Sequence, residues 1–238
     1  MKNIICNLIL TTIFITLFQG CTSVETVKSD DVEQRIIFQQ YFIHYDAADS
    51  TTIAIAKFNV NNGAGTALKL VSGSYVKYNG EKLSGEADKN DNTYQYTLRR
   101  HEALESVNTF TYLNNDKQEF SNNVEINPFE LQASQAELSK SDKNTLQFKG
   151  KPISENETIE CVLTQQDNTE NSYPLPCYQD NDNPQMIVIF GEDIDAPAGK
   201  YSMQFVRRNS SSEISAMDRG GLWETEYLSK TVNVTIAN

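Results

Sequence analysis

The sequence predicts an all-β protein made of two β-sandwiches in tandem. Three observations carry this expectation. Short alternating apolar runs recur along residues 35–236, bounded by Asn, Asp, Gly or Pro, at the ~8–12-residue spacing of a sandwich and not of a strand–helix unit. Pro128 divides them into halves, each about the ~100 residues of one sandwich. A faint repeat, Asn123-Val124-Glu125-Ile126 against Asn233-Val234-Thr235-Ile236, closes each half, 110 residues apart.

Ahead of the strands lies a leader. Lys2 gives a positive start, and Ile4, Ile5 and Leu8 to Phe18 give an apolar core broken by Thr11, Thr12 and Thr16. That core is shorter than the ~20 apolar residues that cross a bilayer. Polar chain follows it, as after a removable signal peptide. An ordinary signal peptidase needs a small residue where the bulky Phe18 stands. Leu17-Phe18-Gln19-Gly20-Cys21 instead resembles the lipobox of bacterial lipoproteins, although Leu is commoner than Phe at the third position before the cysteine. The resemblance implies that residues 1–20 are removed and that Cys21 carries three acyl chains. Thr22, where an Asp would retain the protein in the inner membrane, implies the outer membrane. Each buried CH₂ is worth roughly 0.8 kcal/mol, so several chains make a lasting anchor. The competing reading is an uncleaved helical anchor with an incidental cysteine. Residues 21–34 read as the acylated cysteine and a polar tether.

Removing residues 1–20 leaves 19 basic against 32 acidic residues, a formal charge of −13. Phosphate would repel such a chain, so nucleic acid is excluded as a partner, and anionic lipid headgroups likewise. Cys6 leaves with the leader and Cys21 is taken by lipid. Cys161 and Cys177 remain, and in an exported chain two cysteines are expected to pair as one disulfide. They lack the CxxC spacing and nearby histidines of a redox or metal pair.

In the first sandwich, residues 35–127, Ile36 to Tyr45 reads as a strand broken at Gln39-Gln40. Thr51 to Val60 is β-branched with apolar residues of both parities, as in a strand covered on both sides or carrying a bulge. Asn61 to Gly65 is a turn. Asn79-Gly80 after Tyr75 to Tyr78 is a hairpin of type I′, and Glu86 to Asn92 is an acidic loop. Tyr94, Tyr96 and Leu98, then Phe110 and Tyr112, mark half-buried strands. A turn at Asn114 to Asp116 returns the chain through Phe120 to Ile126.

In the second sandwich, residues 128–238, Leu138, Leu146, Phe148, Ile159, Cys161 and Leu163 continue the alternation. The run Tyr173 to Cys177 reads as a separator. Met186 to Phe190 is the most apolar run after the leader and suits a central strand buried on both faces. Tyr201, Met203 and Phe205 form a strand, Asn209 to Leu228 a long loop, and Val232 to Ile236 the last strand. Gly199-Lys200-Tyr201 resembles the tyrosine corner of the immunoglobulin fold. With Val76 to Gly80 and Ser229 to Ile236, the chain resembles bacterial lipoproteins with immunoglobulin-like domains. Cys161 and Cys177 are too close in sequence for the inter-sheet disulfide of antibody domains, so the likeness is one of architecture, and it brings no activity with it.

Catalytic patterns are absent from the sequence. His44 and His101 lie in no HExxH-type spacing, and there is no GxSxG elbow, so the expectation is a protein that is not an enzyme. His44, among Tyr41, Phe42 and Tyr45, reads as a strand-edge residue, and His101, beside Arg99-Arg100 and Glu102, as part of a surface charge cluster. Asp180-Asn181-Asp182-Asn183-Pro184 resembles the calcium-binding linker of cadherin-like repeats, and Glu192, Asp193 and Asp195 follow. Calcium takes six to eight hard oxygens, making Asp180, Asp182, Asp193 and Asp195 the candidate ligands and a calcium-dependent adhesin module the alternative function. The plainer reading of these residues is a solvated turn. Trp223, in the 209–228 loop, is the candidate partner contact, since loops beyond ~15 residues are commonly functional or disordered. The opposing reading has Trp223 capping an open end of the sandwich. The function expected is a non-catalytic binding or structural role in the envelope, with the bilayer, an envelope protein or a glycan as partner.

Overall fold

A computed structural model describes residues 24–88 and 92–237, so the leader and Cys21 lie outside the described residues. Along the first half run β1 (Thr26–Lys28), two 3-10 turns (Ser29–Asp31 and Gln34–Ile36), β2 (Ile37–Asp46), β3 (Thr51–Val60), β4 (Ala67–Lys69), β5 (Tyr75–Tyr78) and β6 (Glu81–Lys82). Then come β7 (Ser84–Asp88), β8 (Thr93–His101), β9 (Asn108–Leu113) and β10 (Glu119–Val124). The second half holds β11 (Glu130–Leu131), β12 (Gln135–Ser139), β13 (Lys143–Lys149), β14 (Glu157–Gln165), β15 (Ser172–Leu175), β16 (Tyr178–Gln179) and β17 (Met186–Phe190). A 3-10 turn (Gly191–Asp193) leads to β18 (Gly199–Ser211), β19 (Gly221–Leu228) and β20 (Val232–Ala237). The protein is all-β.

The halves share one strand order. With β1, β4, β12 and β19 set aside, the first half pairs as β2-β3-β8-β7 and β6-β5-β9-β10. The second pairs as β11-β13-β17-β16 and β15-β14-β18-β20. In each half the first, second, sixth and fifth strands make one sheet, and the fourth, third, seventh and eighth make the other. The two repeat tetrapeptides both fall at the eighth strand, on β10 and β20.

Several local expectations are met. Asn79 and Gly80 have φ of 45° and 83°, and Tyr78 faces Glu81 across the hairpin, the geometry of a type I′ turn. Ile187, Val188 and Ile189 are all buried on a strand flanked by β13 and β16. The Tyr201 hydroxyl donates to the Pro197 carbonyl at 2.8 Å, as a tyrosine corner does. Thr51–Val60 keeps one inward parity, with Thr52, Ala54, Ala56 and Phe58 buried, and its unbroken register with β2 carries no bulge, while Ile53 and Ile55 lie half-buried on the other face.

Other expectations are corrected. β2 is unbroken, because Gln39 sits fully buried on its inward face and the Tyr41 hydroxyl donates to Gln39 Oε1 at 2.7 Å. The tether expected through residue 34 is shorter, since Thr26–Lys28 already pairs in parallel with Ala67–Lys69. Ser29 is buried behind it, and Gln34 Nε2 donates to the Ser29 carbonyl at 2.6 Å. Glu86 to Asp88, expected in the acidic loop, belong to β7. Ser172–Leu175, read as part of a separator, is strand β15.

The largest correction concerns residues 209–228, which are mostly strand. β18 continues to Ser211 and β19 occupies Gly221–Leu228. β19 runs antiparallel to β18, Trp223 facing Ser211 and Leu228 facing Val206. On its other edge it runs parallel to β2, Gly221 facing Gln39 and Leu228 facing Asp46. One sheet is therefore continuous across both halves, in the order β1-β4-β3-β2-β19-β18-β14-β15. Pro128 divides the sequence, but this sheet does not stop there. A Cβ on Gly221 would meet the Gln39 carbonyl oxygen at 2.1 Å, so only glycine admits this close approach.

A buried ion pair secures the joint. Arg207 Nη2 and Glu157 Oε2 are 2.6 Å apart, with both side chains about 1% exposed. Arg207 also donates to the carbonyls of Lys151 and Pro152. Glu157 accepts from Ser154 and from Asn127, which sits in the connection between the halves. With these bonds made, burial of the pair costs little. Desolvation alone would raise the Glu157 pKa, but the hydrogen bonds from Arg207, Ser154 and Asn127 outweigh it and bring the pKa down to about 2.

Candidate binding surface on the second sandwich

The open side of the second half is set by where β15 stops. Its ladder to β14 covers only Cys161 to Thr164, whereas β14 pairs with β18 from Glu157 onward. The edge of β14 from Glu157 to Glu160 therefore has no strand beside it among the described residues. After Leu175 the chain crosses through Pro176-Cys177 to the opposite sheet, where Tyr178 pairs with Val188.

That crossover leaves a cleft on each side, and Tyr178 lines both. One, of about 690 Å³, is bounded by Lys143, Ile153, Gln179, Asp182 and Phe190. The other, of about 570 Å³, is bounded by Glu160, Pro174, Glu192, Asp193 and Asp195. Tyr178 is 51% exposed and Phe190 40%, with ring centroids 5.9 Å apart. Large apolar side chains this exposed are rare among the described residues, and two of them in contact at the mouth of a cleft form a patch. The sequence hid it: Phe190 ends the run expected to be buried on both faces, and its exposure corrects that expectation, while nothing around Tyr178 marked it.

The candidate calcium ligands are shared between the clefts. Asp180 and Asp182 line the first, Asp193 and Asp195 the second. The β17 strand lies between them in the chain, and five strand residues rise ~17 Å. Asp180 has other work: it accepts from Lys143 Nζ at 3.0 Å and from the backbone N–H groups of Asp182 and Asn183. Lys143 first, then those N–H groups, hold its carboxyl below the usual range. Among the described residues no three His, Cys, Asp or Glu side chains are placed to hold a metal ion.

Cys161 and Cys177 are both buried, and they are separate thiols here, so the expected bridge is not made. Cys161 faces Leu175 across the ladder. Cys177 lies two residues further on, where its Sγ donates to the Ile159 carbonyl at 3.7 Å. Cys177 therefore stands outside the ladder, which ends at Leu175, yet near enough to Cys161 to act on it electrostatically. Burial raises both thiols, Cys177 to about 12, and a thiol raised by burial is a weaker nucleophile.

Trp223 is 8% exposed. Its strand turns the indole into the core, so its surface is spent on packing and not offered to a partner. On the outward face of the same seam, His44 Nδ1 and Glu226 Oε1 are 2.8 Å apart, and Glu226 also accepts from Arg208 at 2.8 Å. His101 lies far along the chain from His44, its Nδ1 at 3.0 Å from Thr51 Oγ1. No protein-family model matches the chain, and no curated protein matches it in sequence.

Proposed function

We propose that this chain is a bacterial envelope lipoprotein held by an acylated Cys21, whose two immunoglobulin-like sandwiches act by binding and not by catalysis. The observation that carries this reading is Leu17-Phe18-Gln19-Gly20-Cys21 at the end of a short apolar leader. The shared strand order of the halves, the tyrosine-corner hydrogen bond at Tyr201 and the parallel pairing of β12 with the last strand β20 support the immunoglobulin-like part. The open clefts around Tyr178 support a binding role.

The early start of β1 sharpens what the anchor would do. Cys21 is five residues before Thr26, a span of at most ~18 Å. An acylated Cys21 would hold the first sandwich close to the bilayer, and outer-membrane placement follows from Thr22. An exported chain meets oxidising conditions, so a Cys161–Cys177 bridge remains part of this proposal.

Labelling with radioactive palmitate tests the anchor. The wild type should incorporate label and fractionate with the outer membrane, and Cys21→Ala should do neither. Label on the Cys21→Ala protein would overturn the reading.

A further inference from the structure

We propose that the open edge of the second sandwich binds a basic polypeptide segment in extended form. The proposal rests on the reading of this chain as a binding protein, but acylation plays no part in it. Three features converge there. β15 stops short of the Glu157 to Glu160 stretch of β14, where the Ser154 carbonyl holds the Glu157 N–H and the Cys177 thiol holds the Ile159 carbonyl, and the main-chain groups left over can take an added segment through hydrogen bonds. Tyr178 and Phe190 stand exposed beside it in ring contact, offering π-faces that attract Lys and Arg side chains.

Charge decides among occupants. Asp182 borders one cleft, and Glu192, Asp193 and Asp195 border the other. The one cation lining them, Lys143, is already paired with Asp180, and Glu160 with Arg208. The margin is thus strongly negative on a protein of net charge −12, which repels acidic peptides and draws basic ones. Pro174 is an exposed residue of the edge strand β15 and has no N–H, so it discourages pairing along β15 and leaves the β14 edge as the docking line. Alternate side chains of an extended peptide point to opposite faces, which places every second residue over the Tyr178–Phe190 pair and the intervening ones toward the carboxylates.

The test is fluorescence anisotropy of a labelled ten-residue peptide of alternating Lys and Thr, titrated with the full-length protein in detergent. Saturable binding is expected that weakens several-fold between low and physiological salt, and a Glu–Thr analogue should not bind. Tyr178→Ser with Phe190→Ser should weaken binding at least tenfold. Because both residues are exposed, the circular dichroism and melting temperature should hold. Glu192→Gln with Asp193→Asn should weaken it several-fold, while Asp116→Asn with Glu119→Gln, an equal change of charge on the first sandwich, should not. Equal losses from both charge pairs, or unchanged binding by the folded aromatic variant, would overturn the proposal by showing non-specific attraction. Binding of a neutral oligosaccharide in place of the peptide would overturn it in favour of a glycan site. The palmitate result is independent of every one of these outcomes.

Discussion

The two halves have the same strand order and differ in how the seventh strand reaches the eighth. In the first half, β9 returns as β10 through a short turn, where Asn114 and Gln118 are hydrogen-bonded through backbone and side chains. In the second half, β18 overshoots its partner β20, which it pairs only up to Met203, and β19 is laid along the remainder before the chain comes back. That extra strand is what closes the edge of β2. One topology thus yields a self-contained hairpin in one copy and an arm that clasps the neighbour in the other.

Their interiors differ as well. The first core is a chain of rings, Tyr41 stacked on Phe110 at 4.7 Å and Phe58 against Tyr112 at 4.5 Å. The second holds Phe129 between Phe148 and Phe205, with aliphatic residues around them and the Arg207–Glu157 pair at the joint. The first half turns its rings inward, while the second leaves Tyr178 and Phe190 outside.

The most severe way to break this comparison is to remove the arm. A fragment of residues 24–127 lacks β19 and exposes the eight paired backbone positions of β2, Gln39 to Asp46. Such an edge invites pairing with another chain, so the fragment should be oligomeric or unfolded by size exclusion and circular dichroism. A monomer with a cooperative melt would show that the halves are independent.

Next in size is Arg207→Met, which strands a buried carboxylate and should cost about 3–5 kcal/mol in denaturant unfolding. The same pair sets an acid limit. The folded Glu157 pKa lies below the ordinary carboxyl value, so its contribution is fully present above about pH 4.5 and fades as pH falls toward about 2. By linkage that contribution is on the order of 3 kcal/mol. Glu157→Gln should flatten this part of the stability–pH curve, and an unaltered curve would move the acid sensitivity elsewhere.

The smallest effect is expected at the Asn79-Gly80 hairpin. Gly80 has φ of 83°, and a Cβ there would touch nothing within 4 Å. Gly80→Ala should therefore cost only the backbone strain, about 1 kcal/mol, read as a small drop in melting temperature.

Local chemistry made much of this legible. Asn-Gly specifies its own turn, Ile187 to Ile189 declares a strand buried on both faces, and the repeat at Val124 and Val234 marks equivalent strands. β19 was not legible because its inward set, Gly221, Trp223, Thr225 and Tyr227, alternates with Leu222, Glu224 and Glu226, too mixed to stand out from a loop. The early β1 was hidden for a similar reason, since Thr26–Lys28 carries one apolar residue and gains order only from the edge of β4.

By itself the sequence determined the class of fold, most of the turns and the acidic balance, and it holds the short apolar run before Cys21 on which the proposed anchor rests. Tertiary structure alone decided which strands became neighbours, that Cys177 lies past the end of the ladder that holds Cys161, and that the acids flanking β17 line separate clefts around an exposed Tyr178. The physical reason is that alternation and turn chemistry act between residues close in sequence. Pairing between distant strands depends on which edges and faces the rest of the chain has left free.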